Sequence, residues 1–183
     1  MDCLAIANRA LCSSSVSVQT QQQQATHLEC TGTDMFKISS DVAVDQNKGI
    51  GIGAVLVDGD GLVVACRYGF KQGMFTVVEG EALAMVEGLK LCHERGSINI
   101  IAETDCQQLY WLLQRQETDL SYLGDTLREI SEMKRNFQSL AFSWTPREGN
   151  AIADRLASVA LSSFSPLSSS LGLPFDVNYV PSF

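Results

Sequence analysis

The chain has little positive charge. Its 183 residues include 13 Lys and Arg against 21 Asp and Glu, which gives a formal net charge of -8. Lys and Arg supply most of the sequence-independent affinity of proteins for nucleic acid, because they release counterions from the phosphate backbone. No run of basic residues is long enough to form a basic arm. These deficits argue against tight, autonomous nucleic-acid binding, so we expect such binding to be weak and strongly salt-dependent.

The sequence also lacks the patterns of a zinc site and of a membrane span. Its six cysteines form no Cys-x-x-Cys pair and have no histidine at ligand spacing, so we expect free thiols in an intracellular compartment, nuclear or cytoplasmic. No stretch reaches the roughly 18 apolar residues of a membrane span, so no membrane partner is expected. The first ten residues lack the features of a secretory signal, although the Ser-rich, acid-poor beginning also fits an organelle transit segment.

Composition divides the chain into one domain and two tails. A hydrophobic content of 45% is enough for one sizeable core, which we assign to residues 35–162. Residues 1–34 are rich in Ser and Gln and have little large apolar surface to offset the entropy of ordering, so we expect them to be disordered. Residues 163–183 are again Ser-rich and are expected to be irregular. We expect a monomer.

Hydrophobic periodicity predicts an α/β domain with a five-stranded mixed sheet. Residues 36–44, 50–57 and 62–69 have the pattern of a β-meander, with turn residues at 58–61. A helix over residues 76–94, ended by Gly96, leads to a strand over 98–102. Helices follow from Asp105 and Ser121, then a strand over 139–144 and a helix from about Asn150. The order βββαβααβα implies antiparallel pairing in the meander and parallel pairing across the helical connections.

Two carboxylates lie where these elements are otherwise apolar. Asp41 interrupts a mostly apolar or small strand near the expected centre of the sheet, although an edge position would also explain it. Glu81 lies within the broad apolar arc of its helix. A carboxylate facing the core costs several kcal/mol unless it is paired or bound to metal. The alternative is an ordinary glutamate in the first turns, favoured by the helix dipole.

Two more carboxylates stand at element boundaries. Asp105 ends a strand and begins a helix, which by itself is better explained as an N-cap than as a catalytic group. The carboxyl ends of parallel strands are also where α/β proteins form their sites, so both roles are compatible. Asp154 borders the apolar arc of the last helix, beside the small residue Ala157. As a solitary residue it fits a solvated face equally well.

If the four carboxylates meet, cations must neutralise them. Two carboxylates about 4 Å apart repel each other by roughly 4 kcal/mol at an effective dielectric constant of about 20. Oxygen-only ligands suit Mg²⁺ or Mn²⁺. Two such ions can activate a water and stabilise the leaving oxygen in phosphodiester displacement. A meeting of the four carboxylates would therefore form a site for divalent metal.

The settings of the four carboxylates resemble those of the type 1 ribonuclease H family. The motifs are Ser40-Asp41, Gly80-Glu81-Ala82, Thr104-Asp105 and Asn150-Ala151-Ile152-Ala153-Asp154. Within the family, the chain is similar to the ribonuclease-H-like domain of plant non-LTR retroelements and their stand-alone relatives. The resemblance implies the ribonuclease H fold and cleavage of the RNA strand of an RNA/DNA hybrid. It also implies that Asp41 bridges two metals, Glu81 and Asp105 hold the metal near the attacking water, and Asp154 completes the other site.

The same resemblance suggests three substrate-binding residues. Gln107, two positions after the third carboxylate, matches a family residue that contacts the minor groove, where an amide reads base edges or a 2′-hydroxyl. Arg147 and Asn150 belong to a Pro-Arg-x-x-Asn pattern common in the plant relatives. Arg147 is either a phosphate ligand or an ordinary surface arginine.

Departures from the family leave two functions open. Val42 replaces the glycine that usually follows the first Asp, and residues 145–149 lack the family's loop histidine, a loss that the plant relatives share. The basic protrusion of some members is also missing. The first function is a metal-dependent hydrolase, and the second is a non-catalytic module that binds nucleic acid or protein. A 3′-to-5′ exonuclease would need Asp-x-Glu in the first strand, which Asp41-Val42-Ala43 does not supply. Trp111 and Trp144 are expected in the core, and the alternative is that they are platforms on which bases stack.

Overall fold

The computed structural model describes residues 35–115 and 121–173, which contain six strands and four α-helices. The tail expected over residues 1–34 lies outside the described residues. The strands are β1 (Met35–Asp45), β2 (Gly49–Val57), β3 (Val63–Gln72), β4 (Asn99–Thr104), β5 (Ser139–Trp144) and β6 (Ser168–Leu171). The helices are α1 (Val77–Glu94), α2 (Gln107–Arg115), α3 (Tyr122–Met133) and α4 (Ala151–Ser163).

The strands form one mixed sheet in the order β5-β4-β1-β2-β3-β6. Strands β1, β2 and β3 pair antiparallel as a meander, whereas β4 pairs parallel with β1 and with β5. The predicted α/β class and the predicted element order are confirmed. No helix among the described residues is long and apolar enough to cross a membrane.

The expected count of five strands was wrong. Residues 168–171, in the segment expected to be irregular, form β6 and pair antiparallel with β3. Just before β6, Leu167 packs against Gly69, and the Phe164 ring lies 4.9 Å from the Phe70 ring. A sheet edge offers unpaired backbone groups to any nearby segment. That pairing depends on tertiary proximity, which the Ser-rich composition does not reveal.

Helix α1 begins and ends where its local sequence dictates. The Thr76 hydroxyl accepts a hydrogen bond from the Glu79 amide, and the Glu79 carboxylate accepts one from the Thr76 amide, which makes a capping box. Gly96 has a φ of 73°, in the left-handed region that favours glycine after a helix. The helix is thus fixed at both ends, with Glu81 in its second turn.

The sheet lies between helices on its two faces. On one face, α1, α2 and α3 contribute Leu89, Leu109 and Ile130 to the main core. On the other face, α4 packs so closely on β2 that a Cβ added at Gly53 would lie 2.2 Å from the Ala153 carbonyl oxygen. Glycine in β2 is therefore what allows the backbone of α4, and with it Asp154, to approach the sheet.

Candidate metal centre

Strand register brings the first and third carboxylates together. In the parallel pair β1–β4, Ser39 lies opposite Glu103. Asp41, within β1, and Asp105, just after β4, each follow two residues later, so they lie side by side where the pairing of the two parallel strands ends. The helix α1 adds Glu81. One carboxylate oxygen from each of Asp41, Glu81 and Asp105 lies within 4.8 Å of the others.

The three carboxylates repel each other in a poorly solvated site. Asp41 is 5% exposed and Glu81 is 4% exposed. Burial, followed by the charge of Asp105, raises the pKa of Asp41 to about 6. Burial, followed by the charges of Asp41 and Asp105, raises the pKa of Glu81 to about 9. Both carboxyl groups consequently hold protons more tightly than usual, as expected for buried like charges close to one another.

The hydrogen bonds of the site are incomplete without a cation. The Val42 amide donates to Asp41 Oδ1 at 2.8 Å. Glu81 Oε2 is buried and has no hydrogen-bond partner among the described residues. A buried oxygen without a partner is costly. Hard oxygen ligands of this kind fit Mg²⁺ or Mn²⁺, so the residues present suit a divalent ion.

Asp154 lies at the margin of this cluster. Its charge contributes to the raised pKa of Asp41, which places it near the three carboxylates although it is not within their 4.8 Å group. Its side chain is 40% exposed, and its Oδ1 accepts a hydrogen bond from the Arg147 guanidinium at 3.3 Å. The charge of Arg147 also acts to lower the pKa of Glu81, although burial outweighs it. Arg147 therefore serves as a cation beside the carboxylates.

Asn150 faces inward. It is 1% exposed, and its side-chain amide donates to the Ser40 carbonyl at 3.0 Å. This bond ties the start of α4 to the residue before Asp41. A direct contact of Asn150 with substrate stays a prediction. In the structure its amide instead holds the backbone of Ser40, next to Asp41. The sequence pattern marks the residue but contains no signal that it is buried.

The expectation that Trp111 and Trp144 lie in the core was wrong. Trp111 is 58% exposed and Trp144 is 41% exposed. Leu109 and Leu113 occupy the buried side of α2, which turns Trp111 outward. Trp144 ends β5, and its indole Nε1 donates to the Asp105 carbonyl at 3.1 Å. The helical periodicity of α2 was the signal that could have placed Trp111 at the surface.

Val42 is turned toward helix α1. A Cβ added at Gly80 would lie 2.8 Å from Val42 Cγ2, and the side chain also packs with Ile50, Ile52 and Ala84. Adjacent strand residues point to opposite faces, so this side chain lies across the sheet from that of Asp41. The substitution that separates this chain from the usual family pattern is accommodated by a glycine in α1.

The fold and the site define a ribonuclease-H-like protein with an acidic triad able to hold a metal ion. A family model described as reverse transcriptase-like matches residues 39–160, and the chain belongs to this family. None of the curated proteins compared with the chain matches it.

Solved structures share this fold. RNase H1 from the halophilic archaeon Halobacterium salinarum is 27% identical, with a TM-score of 0.66, over 70% of this chain and 98% of that one. The N-terminal RNase H domain of a Mycobacterium tuberculosis protein is 23% identical, with a TM-score of 0.65, over 71% of this chain and 95% of that one. LC11-RNase H1, solved in complex with an RNA/DNA hybrid, is 22% identical, with a TM-score of 0.64, over 70% of this chain and 97% of that one.

Proposed function

We propose that the protein is a metal-dependent endonuclease that hydrolyses the RNA strand of RNA/DNA hybrids. The observation that carries this proposal is the convergence of Asp41, Glu81 and Asp105 within 4.8 Å in a ribonuclease-H-like fold. Similarity to RNase H1 proteins supports it, and one of those neighbours was solved with a hybrid. Membership of the reverse transcriptase-like family is consistent with an origin in a retroelement, as the resemblance to plant retroelement domains suggests.

The four carboxylates are the proposed ligands for two Mg²⁺ or Mn²⁺ ions. Asp41 is central because it lies within 4.8 Å of Glu81 and Asp105, and because the charges of Asp105 and Asp154 both act to raise its pKa. When bound, divalent ions neutralise carboxylate repulsion, activate a water and stabilise a leaving oxygen. The chain's own contribution is to hold the oxygens together: β1 and β4 do so through register, α1 through its capped start and α4 through its close approach to β2.

Three further residues are proposed to act on the substrate or on the site. Gln107 is exposed at the beginning of α2, two residues after Asp105, where its amide is free to contact a groove of the hybrid. Arg147 is 78% exposed, so its guanidinium is able to leave Asp154 for a phosphate. Asn150 holds β1 and α4 in place through Ser40 and contributes to substrate binding indirectly.

Cleavage of a labelled RNA/DNA hybrid by the purified full chain tests the hydrolase. Mg²⁺ or Mn²⁺ should support cleavage that leaves 3′-hydroxyl and 5′-phosphate ends, and Asp41→Asn should reduce the rate by at least about 100-fold, because a central charge for metal binding is lost. Asp45→Asn is the matched control, since Asp45 ends the same strand and pairs with Lys48 instead. Cleavage that survives Asp41→Asn, or that needs no divalent ion, would contradict the proposal.

The second candidate is a non-catalytic module that retains the fold and binds nucleic acid or protein. The net charge of -8 and the presence of Val42 in place of the glycine that usually follows the first Asp favour it. In that case the hybrid would bind without being cleaved in either metal, and Asp41→Asn would leave binding unchanged. The same purified proteins therefore separate the two candidates.

A further inference from the structure

The outward face of helix α2 is a continuous surface. At about 100° per residue, Gln107, Gln108, Trp111, Gln114 and Arg115 fall within one arc, and all five side chains are exposed. Trp111 lies near the middle of that arc. The opposite side of the helix is buried through Leu109 and Leu113. We call the five exposed residues the α2 face.

The α2 face differs in charge from the rest of the protein. Helix α2, Gln107–Arg115, contains no Asp or Glu, although the whole chain has a net charge of -8. Its exposed groups are three amides, one indole and one guanidinium. Amides bond to bases and sugars, an indole stacks on bases, and a guanidinium binds phosphate. This combination is complementary to nucleic acid and does not depend on a large positive charge.

The face also continues directly from the proposed metal centre. Gln107 is two residues from Asp105, and the Trp144 indole bonds to the Asp105 carbonyl where the helix begins. Gln108, Trp111, Leu112 and Arg115 line an open groove of about 480 Å³. Helix rise of about 1.5 Å per residue makes the face roughly 12 Å long. For a strand stacked at the duplex spacing of about 3.4 Å per nucleotide, that length covers about three or four nucleotides.

The exposed indole of Trp111 indicates whether the α2 face binds paired or unpaired nucleotides. Paired bases inside a hybrid are already stacked on their neighbours and present only their edges. Unpaired bases present a whole face, and aromatic side chains stack on them. If the α2 face bound only a phosphate, the Arg115 guanidinium would be sufficient and the Trp111 indole would have no role. Trp111 therefore fits an unpaired nucleotide that flanks a duplex better than it fits the duplex itself.

We propose that the α2 face binds a single-stranded extension of the hybrid, with an unpaired base stacked on Trp111, Gln108 bonded to that nucleotide and Arg115 on its phosphate. This inference rests on the proposed function for the identity of the duplex, and it narrows the substrate class to hybrids with a single-stranded junction. Trp111 is a specificity-determining residue in this arrangement. Stacking also partly replaces the cations that the chain lacks.

Binding measured without cleavage tests the inference. In full-length protein with Asp41→Asn, the affinity for a blunt hybrid is compared by fluorescence anisotropy with that for hybrids extended by about four nucleotides at each end of either strand. At least one extension should raise the affinity about 5- to 10-fold, at the lower end of the effect of one aromatic stack. Trp111→Ala should remove that gain, and Trp111→Phe should keep most of it. Trp111→Gln is a second variant in case the alanine protein does not fold.

Leu171→Ala is the control for loss of an exposed apolar side chain, because Leu171 is 75% exposed on β6, at the other edge of the sheet from β5. Tryptophan emission adds a direct readout: the extended hybrid should quench it more than the blunt hybrid does, and this difference should disappear in Trp111→Phe, which keeps only Trp144. Equal affinity for blunt and extended hybrids, or a gain that survives both Trp111→Ala and Trp111→Gln, would overturn the inference. A Trp111-dependent gain without cleavage by the wild-type chain would support this surface and refute the hydrolase, whereas cleavage without the gain would do the reverse.

Discussion

The side chain of Val42 fills the space that a side chain at Gly80 would need. The γ-methyls of Val42 lie where a Cβ on Gly80 would be, at 2.8 Å and 3.2 Å. Glycine in a helix interior is normally unfavourable by about 1 kcal/mol relative to alanine. Here the backbone preference for alanine is outweighed by the volume of Val42. A larger residue at position 80 is therefore expected to be tolerated only if residue 42 becomes smaller.

We predict that Gly80→Ala lowers the free energy of unfolding by about 1–3 kcal/mol, because the added methyl overpacks the contact between β1 and α1. Val42→Ala should restore most of that loss in the double variant. Urea denaturation of the four proteins measures the coupling energy, which should exceed about 0.5 kcal/mol for residues in contact. Strictly additive effects would show that the two side chains do not share this space.

Arg147 neutralises part of the carboxylate cluster before any metal binds. Its guanidinium lies 3.3 Å from Asp154, so a divalent ion that uses Asp154 must displace it. We predict that Arg147→Ala tightens Mn²⁺ binding about 2- to 5-fold, since an exposed ion pair is worth at most about 1 kcal/mol. Calorimetric titration measures the metal affinity. Lys48→Ala, which removes a comparable partner from Asp45, should leave it unchanged, and weaker binding by Arg147→Ala would refute this role.

At the scale of elements, the approach of α4 to β2 decides where Asp154 lies. A Cβ on Gly51 would come within 2.1 Å of the Ala157 carbonyl oxygen, and one on Gly53 within 2.2 Å of the Ala153 carbonyl oxygen. Both obstacles are backbone atoms, so no change of rotamer relieves them. The two glycines are two residues apart on one face of β2, which makes that face smooth enough for a helix backbone.

We predict that Gly53→Ala displaces α4, costs at least about 2 kcal/mol of stability and weakens Mn²⁺ binding, because Asp154 moves away from Asp41. Thermal unfolding and calorimetric titration measure the two effects. Gly80→Ala is the comparison, since it overpacks the opposite face of the sheet, and its effect on stability should be rescued by Val42→Ala. Gly53→Ala should have no such rescue from Leu156→Ala. Unchanged metal affinity in a folded Gly53→Ala protein would show that α4 does not set the site.

For the whole molecule, the carboxylate cluster links stability to pH and metal. Folding raises the pKa of Asp41 from 3.8 to about 6 and that of Glu81 from 4.5 to about 9. Both groups bind protons more tightly in the folded protein, so their contribution to stability is fullest below about pH 4. It declines as the pH rises through about 6 for Asp41 and about 9 for Glu81.

We predict that, in EDTA, Glu81→Gln gains stability relative to the wild type as the pH rises from about 5 to 9, by at least about 1 kcal/mol, because it removes a charge that the site disfavours. Mg²⁺ should stabilise the wild type more at pH 8 than at pH 6, since protons and metal compete for the same oxygens. Denaturation curves across this pH range measure both effects. A difference between the two proteins that does not vary with pH would contradict the raised pKa of Glu81.

The sequence by itself determined the order of the elements of the α/β domain, because periodicity, caps and turns act over a few neighbouring residues. Thr76 with Glu79 and Gly96 mark both ends of α1 in this way. It also singled out Asp41 and Glu81, because a carboxylate is unusual in an apolar strand or on an apolar helix face, and Asp105 and Asp154, because their settings resemble ribonuclease H motifs.

Only the tertiary structure decided how these residues meet. The 4.8 Å cluster depends on the register of β1 against β4 and on the packing of α1, which join positions far apart in the chain. The pairing of β6 with β3 and the bond from the inward amide of Asn150 to Ser40 depend on long-range proximity in the same way. Local sequence patterns indicate which chemical group a residue contributes. The burial of that group and its distance from other groups depend on residues that are remote in the chain.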